Sequence, residues 1–362
     1  MKVLFLTNIP SPYRVEFFNQ LGTFCDLTVL YQKERSSERD KKWIGVSNDS
    51  YKKVFLSGIS TGVDQSISFE VLKYLRKGKY DKIFICGIAS PTEMLALIWC
   101  KLRRIPYYFE SDGGIPKSGK GIKELVKKFN LSGAHKYLST GKMHDEYYRA
   151  YGIDSKKIIH YPFSSVTQSE IIKSPVSKKR KKELRSSHGI NARIVAVTVG
   201  QFIYRKGLDI LIKAWGDMKQ DAALVIVGGI PPEEYINLVS KNENKNIVFV
   251  PFLKKDELSE YYQMADVFVF PTREDIWGLV VNEAMAHGLP IISTDRSGAA
   301  VELVSQNENG YIVRHESVSE LSDRMQKFDQ LTEEEMFTMS SKSLEKVRQY
   351  TIEKMVKRHL EI

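Results

Sequence analysis

The sequence predicts an α/β protein made of two doubly wound domains, each with a parallel sheet between layers of helices. Short apolar strands alternate with helical segments in both halves of the chain, which is the pattern of this fold class. A polar, basic stretch separates the halves, and the alternation restarts after it. With 362 residues, 42% of them hydrophobic, the chain can form two ordinary domain cores. We therefore expect two Rossmann-like domains.

The first domain is predicted over residues 1–165. Apolar and β-branched runs predict strands at residues 2–7, 25–31, 82–86, 106–110 and 157–161. Helical spacing predicts helices at residues 14–21, 68–77, 91–103 and 143–151. Pro91 at a first helical position and Gly152 after a last turn are typical of helix boundaries.

Residues 166–190 predict a basic linker, with a short basic helix within it as an alternative, because Ser, Lys and Arg dominate there and apolar residues are few. The second domain is predicted over residues 191–345. Its strands are expected at residues 193–199, 222–227, 247–251, 267–270 and 290–294. Its helices are expected at residues 208–215, 255–264, 279–287, 317–328 and 332–349. Residues 346–362 then form a separate C-terminal helical segment.

The formal net charge of +10 narrows the classes of partner. A nucleoside diphosphate donor with an anionic or lipid-phosphate acceptor at a membrane surface would explain the charge, and so would general solubility. No nucleic-acid motif accompanies the basic residues, so nucleic acid is not the predicted partner. No run of 18 apolar residues occurs, which argues against a transmembrane helix. Cys25, Cys86 and Cys100 lack metal-ligand spacing, which favours buried thiols in a cytoplasmic protein.

The stretch 267–294 carries the clearest functional pattern. It predicts a buried strand, a loop, a helix and a second strand in that order. In α/β folds, phosphates bind where the carboxyl end of a strand leads into the start of a helix. Gly278 lies at that point and allows the backbone to approach a ligand closely. The backbone N–H groups of Trp277, Gly278, Leu279 and Val280 are therefore expected to face an anion.

Two carboxylates lie beside the same loop. Glu283 is one turn inside the predicted helix, and its side chain should lean back toward the helix start. Asp275 precedes the helix. Carboxylates accept hydrogen bonds from sugar hydroxyls, so phosphate-binding amides with two carboxylates predict a nucleotide-sugar site. The alternative is an acidic first turn that only stabilises its own helix dipole.

A second loop of the same domain carries positive charge. Gly200 follows strand 193–199, and Arg205 and Lys206 precede a helix start. Cations oppose the dipole at a helix N-terminus, so their position is best explained by a bound diphosphate. A helix that merely carries basic surface residues is the alternative. Arg205 and Lys206 are also suited to stabilise charge on a leaving diphosphate.

These motifs resemble the donor site of retaining glycosyltransferases with the GT-B fold, family 4 (group 1) in particular. The matching residues are Asp275, Glu283, Ala284, Met285, Ala286, Gly288 and Pro290, together with the loop of Gly200, Arg205 and Lys206. Asp275 stands where the family usually has Glu, and Gln201 where it usually has Arg.

The resemblance implies two domains that face each other, with the donor in the cleft on the second domain and the C-terminal helix crossing back to the first. It implies transfer of a sugar from a nucleoside diphosphate sugar to an acceptor hydroxyl with retention of configuration. Glu283 would hold the ribose, Asp275 would face the donor sugar, and Lys206 would act on the diphosphate. Neither a metal ion nor a resident cofactor is expected.

The resemblance also places the loop after the first strand on the acceptor side of the cleft. Ser11, Tyr13 and Arg14 are therefore candidates for acceptor binding. A tight turn with ordinary helix caps is the alternative reading of the same residues.

A further candidate follows strand 106–110, where the chain reads Glu110-Ser111-Asp112 in place of the His often found in the resembling family. Asp112 or Glu110 could orient an acceptor hydroxyl or take its proton, which makes Asp112 a catalytic candidate. A metal site is not predicted here, because two carboxylates without further ligands bind a metal poorly.

Residues 117–129 predict an amphipathic helix. Ile122, Leu125, Val126 and Phe129 form one apolar stripe, flanked by Lys120, Lys123, Lys127 and Lys128. This helix either docks on an anionic bilayer that holds a lipid-linked acceptor, or it faces the core with solvated lysines.

The predicted function is glycosyl transfer in the assembly of cell-surface polysaccharide, lipopolysaccharide or glycolipid. A nucleotide-sugar epimerase of the same fold and a non-catalytic nucleotide- or sugar-binding protein are the alternatives. The expected partners are the sugar donor, a saccharide or lipid-linked saccharide acceptor, and an anionic membrane at its inner face. A dinucleotide oxidoreductase is not predicted, because neither half has a G-x-G-x-x-G motif with an acidic residue downstream.

Overall fold

The computed structural model describes residues 1–35, 50–114 and 121–362. These residues fold into two compact units. The first unit is Met1–Phe163 together with Ile352–Ile362, and the second unit is Ser164–Thr351. The beginning of the stretch 117–129, including Lys120, lies outside the described residues.

The first unit is built around a parallel sheet. Its strands are β1 (Lys2–Thr7), β2 (Asp26–Tyr31), β3 (Lys52–Phe55), β4 (Ile59–Gly62), β5 (Gln65–Ile67), β6 (Lys82–Cys86), β7 (Tyr108–Glu110), β8 (Lys136–Ser139) and β9 (Ile158–His160). Its helices include α1 (Pro12–Gly22), α2 (Pro91–Arg103), α3 (Ile122–Leu131) and α4 (Lys142–Ala150). The sheet has the order β3-β2-β1-β6-β7-β8-β9, while β4 and β5 form an antiparallel hairpin.

The second unit repeats this architecture. Its strands are β10 (Ile194–Val199), β11 (Ala222–Val227), β12 (Ile247–Val250), β13 (Val267–Phe270), β14 (Ile291–Thr294) and β15 (Gly310–Val313). Its helices are α5 (Lys178–Ser187), α6 (Leu208–Trp215), α7 (Glu233–Ser240), α8 (Lys255–Met264), α9 (Leu279–Ala286), α10 (Gly298–Leu303), α11 (Val318–Asp329) and α12 (Glu333–Val347). The sheet is parallel with the order β12-β11-β10-β13-β14-β15.

The predicted α/β class with two Rossmann-like domains is confirmed by these two sheets. Strands β11 and β13 consist entirely of buried residues. Parallel strands covered by helices on both faces are expected to be apolar throughout, which is why their sequences lack alternation.

Several local elements differ from the sequence prediction. The helix predicted at residues 68–77 is wrong, because only a short 3-10 helix, Phe69–Lys73, forms there. Strands β3, β4, β5 and β15 and helix α7 were not predicted. The three strands in the first unit are three or four residues long and contain one fully buried residue, Ser66, so they lack the apolar run that marks a buried strand.

The stretch 166–190, predicted as a linker, lies within the second unit instead. Part of it forms α5, in which Leu184 and Arg185 are buried. Asp266 anchors this helix, because the Lys181 ammonium lies 2.9 Å from one of its carboxylate oxygens and the Arg185 guanidinium 2.6 Å from the other. The polar composition therefore reflects an ion-paired surface helix.

The last helix, α13 (Ile352–Glu361), belongs to the first unit. Its His359 is buried, and its Nε2 lies 3.1 Å from a carboxylate oxygen of Glu110, at the end of β7. The other ring nitrogen lies 2.8 Å from the carbonyl oxygen of Met355. These two contacts of the His359 ring tie α13 to the sheet.

Glu110 also forms a buried ion pair with Arg14 of α1, whose guanidinium contacts the other carboxylate oxygen. Burial alone would raise the pKa of Glu110, but Arg14 and the hydrogen bond from His359 together lower it to about 2. Glu110 thus connects α1, β7 and α13 through charge.

Replacing Glu110 by Gln (E110Q) should lower the free energy of unfolding by about 3–5 kcal/mol at neutral pH, because Arg14 is left buried without its partner. Because the pKa of Glu110 is depressed on folding, its stabilisation is present above the unfolded value of about 4.3 and lost as pH falls toward about 2. The difference in free energy of unfolding between wild type and E110Q should therefore become smaller as the pH is lowered over that range, as measured by urea denaturation. E345Q, which changes an exposed carboxylate paired with Lys342, is the control and should leave stability nearly unchanged. A constant deficit at every pH would contradict this account.

Candidate functional site

The strand order of the second unit creates a site at one edge of its sheet. The chain adds strands on one side of β10, through β11 to β12, and then returns to add β13 on the other side. The carboxyl ends of β10 and β13 are therefore neighbours where the order reverses. In doubly wound folds, ligands bind in the crevice at this switch point. The loops after these two strands carry most of the predicted site residues.

Lys206 and Asp275 connect the two loops directly. The Lys206 ammonium lies 2.5 Å from a carboxylate oxygen of Asp275, and both side chains are largely buried. The Arg205 guanidinium lies 3.2 Å from the same oxygen. The structure therefore brings two predicted site cations and one predicted site carboxylate together at this edge of the sheet.

The backbone fixes these loops against each other. The carbonyl oxygen of Arg205 accepts hydrogen bonds from the Arg273 N–H and the Thr272 hydroxyl, each at 2.9 Å. Gly207 has φ = +66°, and a Cβ there would lie 2.1 Å from the carbonyl oxygen of Pro271. Only glycine allows this approach.

Gly278 forms the N-cap of α9 with φ = +93°. A Cβ at this position would lie 2.9 Å from the Phe270 ring, and no side chain caps the helix. The first-turn N–H groups, including those of Leu279 and Val280, have no partner within the helix. Such N–H groups can donate hydrogen bonds to an anion at this end of the helix.

Gly200 and Trp277, two further predicted site residues, also lie at this edge of the sheet. Gly200 directly follows β10, with the Lys206 stem 3.5 Å from where its Cβ would be. The Trp277 side chain is buried, and its indole N–H donates to Asn282 at 2.9 Å. The ring therefore packs in the core, so only its backbone can serve a ligand here.

Glu283 lies one turn inside α9, where hydroxyl groups hold its carboxylate. The Ser165 hydroxyl donates to it at 2.8 Å and the Tyr262 hydroxyl at 3.4 Å. Burial raises the pKa of Glu283, while Lys255 and the Ser165 hydrogen bond oppose the rise. The carboxylate is oriented by neutral donors, so it remains a good acceptor for further hydroxyls.

Ser165 and Lys255 were missed by the sequence reasoning. Lys255 donates to the carbonyl oxygen of Ser165 at 2.7 Å and pairs with Glu170 at 2.6 Å. These residues come from three distant parts of the chain and belong to no motif. The single signal was the position of Lys255 at the start of a predicted helix, where a cation is unusual.

The acceptor candidates lie in the first unit. Ser11 precedes α1 and is buried, and Tyr13 packs edge-on against Phe163 with ring centroids 5.6 Å apart. Arg14 is buried and committed to Glu110, and it also lies 3.3 Å from Asp112. Through this contact, Arg14 can hold the Asp112 carboxylate in position. The acceptor roles of Ser11, Tyr13 and Arg14 and the catalytic role of Asp112 stay predictions.

Residues 1–35, 50–114 and 121–362 contain neither a cluster of metal ligands nor a membrane-spanning helix. No group of three or more His, Cys, Asp or Glu side chains in these ranges is arranged to hold a metal ion. Likewise, no helix in these ranges combines the length and apolar character required to span a bilayer.

Comparison with known proteins finds one family model that matches part of the chain. Residues 180–349 match the model of a family described as glycosyl transferases group 1. This match covers α6 to α12 and with them both loops of the candidate site.

Curated relatives match the chain over limited stretches. A GDP-mannose-dependent alpha-(1-6)-phosphatidylinositol monomannoside mannosyltransferase from Mycolicibacterium smegmatis is 34% identical over 142 residues, covering 36% of this chain and 37% of that protein. An N,N'-diacetylbacillosaminyl-diphospho-undecaprenol alpha-1,3-N-acetylgalactosaminyltransferase from Campylobacter jejuni is 21% identical, covering 71% of this chain and 70% of that protein. The chain thus spans under half of the length of the mycobacterial relative.

Solved structures match the whole fold. Sucrose-phosphate synthase from Thermosynechococcus elongatus superposes with a TM-score of 0.76 at 19% identity, covering 100% of this chain and 98% of the other. HepE from Anabaena, solved in complex with UDP, gives a TM-score of 0.79 at 15% identity, covering 100% and 99%. The chain therefore has the GT-B fold of glycosyltransferases.

Replacing Gly278 by Ala (G278A) should weaken nucleotide binding and lower stability. The change adds a side chain at φ = +93° and pushes it into Phe270, so the start of α9 must shift. Strained backbone costs about 1–3 kcal/mol, and thermal denaturation with and without a nucleoside diphosphate measures both effects. G189A is the control, because Gly189 has φ = +69° with no atom within 4 Å of the added Cβ. It should lower stability without changing nucleotide affinity, and an equal loss of affinity in both variants would contradict this role of α9.

Proposed function

We propose that this protein is a glycosyltransferase that moves a sugar from a nucleoside diphosphate sugar to an acceptor hydroxyl with retention of anomeric configuration. The observation that carries the proposal is the meeting of Lys206, Arg205, Asp275 and the start of α9 at the switch point. The group 1 match of residues 180–349 and the names of the relatives support it.

The diphosphate end of the donor is assigned to the cations and the helix start. When the bond between the anomeric carbon and the diphosphate breaks, the leaving group gains negative charge. Lys206, Arg205 and the amides of Leu279 and Val280 are preorganised donors for this charge in a partly buried place. We propose that they do this without a metal ion or a resident cofactor.

The two carboxylates are assigned to the sugars of the donor. Glu283 accepts hydrogen bonds from the ribose, with Ser165 and Tyr262 fixing its orientation. Asp275 faces the transferred sugar and holds Lys206 in place. In the first unit, Asp112 orients the acceptor hydroxyl or takes its proton, and Arg14 positions Asp112.

The acceptor is proposed to be a saccharide or a lipid-linked saccharide used for cell-surface polysaccharide, lipopolysaccharide or glycolipid. The two relatives named above act, by their names, on a phosphatidylinositol mannoside and on a diphospho-undecaprenol saccharide. Both are lipid-linked. The proposed location is the cytoplasm, with peripheral contact at the inner face of the membrane.

Two substitutions test the donor site by calorimetric titration of UDP and GDP. Lys206→Ala should weaken diphosphate binding about tenfold to a hundredfold, because a hydrogen bond to a charged group is worth about 1.5–3 kcal/mol. Glu283→Gln should weaken nucleoside diphosphates but leave inorganic pyrophosphate unaffected. Lys213→Ala and Glu308→Gln are matched controls on the surface of the same unit and should bind as the parent does. Full affinity for both nucleotides in the Lys206 and Glu283 variants would reject the site.

Asp275→Asn separates the role of this carboxylate from that of the cations. The amide oxygen of Asn can still accept a hydrogen bond from Lys206, but the competing negative charge is gone, so the affinity for the bare nucleoside diphosphate should stay equal or rise. The additional affinity contributed by the sugar of UDP-glucose or GDP-mannose should be lost. Both are measured in one titration series with and without the sugar, and weaker binding of the bare diphosphate would contradict the assignment.

The pH dependence of nucleotide binding tests Glu283. Its environment raises the pKa of the carboxyl above the ordinary value of 4.5, so it becomes protonated at a higher pH than an exposed Glu. Since a protonated carboxyl is a poorer acceptor, affinity should decline on acidification through that raised pKa. The decline should be absent in Glu283→Gln, and an identical pH profile for both proteins would contradict the role.

Turnover distinguishes the proposal from the other two functions. The purified chain is incubated with nucleotide sugars and a panel of saccharide and lipid-linked acceptors. Transfer with release of the nucleoside diphosphate supports the proposal. Isomerisation of the nucleotide sugar would indicate an epimerase, and nucleotide binding without any turnover would indicate a binding protein.

A further inference from the structure

Helix α3 in the first unit presents its apolar side to the outside. Ile122, Leu125, Val126 and Phe129 are 80%, 68%, 46% and 56% exposed. Their spacing of three, one and three residues places all four on one face of the helix. A surface helix normally turns such a stripe toward the core. Here the stripe is exposed, so the alternative prediction of a core-facing helix is wrong.

The opposite face of α3 explains this orientation. The Tyr151 hydroxyl donates to the Glu124 carboxylate at 2.7 Å, and the Lys127 ammonium lies 4.5 Å from the centroid of the Tyr151 ring. Leu131 at the end of the helix is buried. Polar and cation–π contacts with aromatic side chains thus hold the helix, and the apolar stripe is left outside.

Basic residues border the exposed stripe. Lys123 and Lys128 are exposed and lie on its two sides in helical projection. At the end of the helix, Lys101 of α2 lies 4.2 Å from the centroid of the Phe129 ring and donates to the Phe129 carbonyl. Leu102, the next residue of α2, is 74% exposed.

We propose that this α3 surface, made of Ile122, Leu125, Val126, Phe129, Lys101, Lys123 and Lys128, docks on an anionic lipid bilayer. The apolar stripe enters the boundary between headgroups and acyl chains, and the lysines contact lipid phosphates. The proposal deepens the proposed function and rests on it only in that a lipid-linked acceptor is held at such a surface.

Charge favours a bilayer over a second copy of the chain. The acidic residue of α3, Glu124, is engaged by Tyr151 on the inward side, so the rim of the stripe is basic. A two-fold contact between two copies would bring equal surfaces together and set lysines against lysines. An anionic bilayer satisfies the apolar stripe and the basic rim at the same time.

Vesicle co-sedimentation with the full chain tests the proposal. The wild-type protein should bind vesicles of phosphatidylcholine with 30% phosphatidylglycerol at least tenfold more tightly than pure phosphatidylcholine, and added salt should weaken binding. The double variant Leu125→Ser/Phe129→Ser should lose at least tenfold in binding. Phe337→Ser, at a residue 57% exposed on α12 of the second unit, is the matched control for Phe129 and should bind as the wild type does.

Titration of UDP and GDP with the same variants separates this proposal from the donor site. Nucleotide affinity should be equal in all of them, because α3 lies in the first unit. Wild-type sedimentation of the double variant, or equal binding to neutral and anionic vesicles, would overturn the docking proposal while leaving the donor site intact. If the wild type is a dimer that does not bind vesicles and the double variant is a monomer, the α3 surface would be assigned to contact with a second copy.

Discussion

The ion pair between Lys206 and Asp275 is the interaction on which the candidate site depends. It joins the loop after β10 to the loop after β13, which are neighbours only because the strand order of the sheet reverses between them. Two largely buried charges are tolerable when they neutralise each other. An incoming diphosphate offers Lys206 a second anion, and a sugar hydroxyl offers Asp275 a neutral donor. The ion pair thus holds the two loops in a form close to the one that a donor requires.

The shape of the rest of the site depends on two glycines, which have no side chain and let the backbone approach β13 closely. Gly207 and Gly278 both have positive φ and both press against the β13 end, one on Pro271 and the other on Phe270. Their conformations let a loop turn sharply into a helix whose first amides face outward. Glu283 differs from Asp275 in its partners. The Ser165 and Tyr262 hydroxyls orient the Glu283 carboxylate, whereas Asp275 forms ion pairs with the Arg205 and Lys206 cations.

Sequence reasoning worked best where the physical signal is local. Helix α6, strands β11 and β13 and helix α8 have the bounds that were predicted from apolar runs and helix formers. It failed where the determining contact is distant. The polar composition of α5 predicts a linker, yet the helix is anchored by Asp266, far along the chain. The hydrogen bond from Ser165 to Glu283 likewise belongs to no sequence motif. Short exposed strands such as β4 carry no apolar pattern at all.

Helix α3 shows most clearly what periodicity can and cannot determine. Its stripe was visible in the sequence, yet the same pattern fits a helix facing the core and one facing outward. The choice depends on Tyr151 of the neighbouring segment, which binds Glu124 and Lys127 on the polar face. In α3 the Tyr151 hydroxyl and ring satisfy the charges of the inward polar face, and the apolar face is left outside the core of its own unit. Burial of this apolar surface in an environment outside the unit is favourable, and the lysines at its rim favour an environment that carries negative charge.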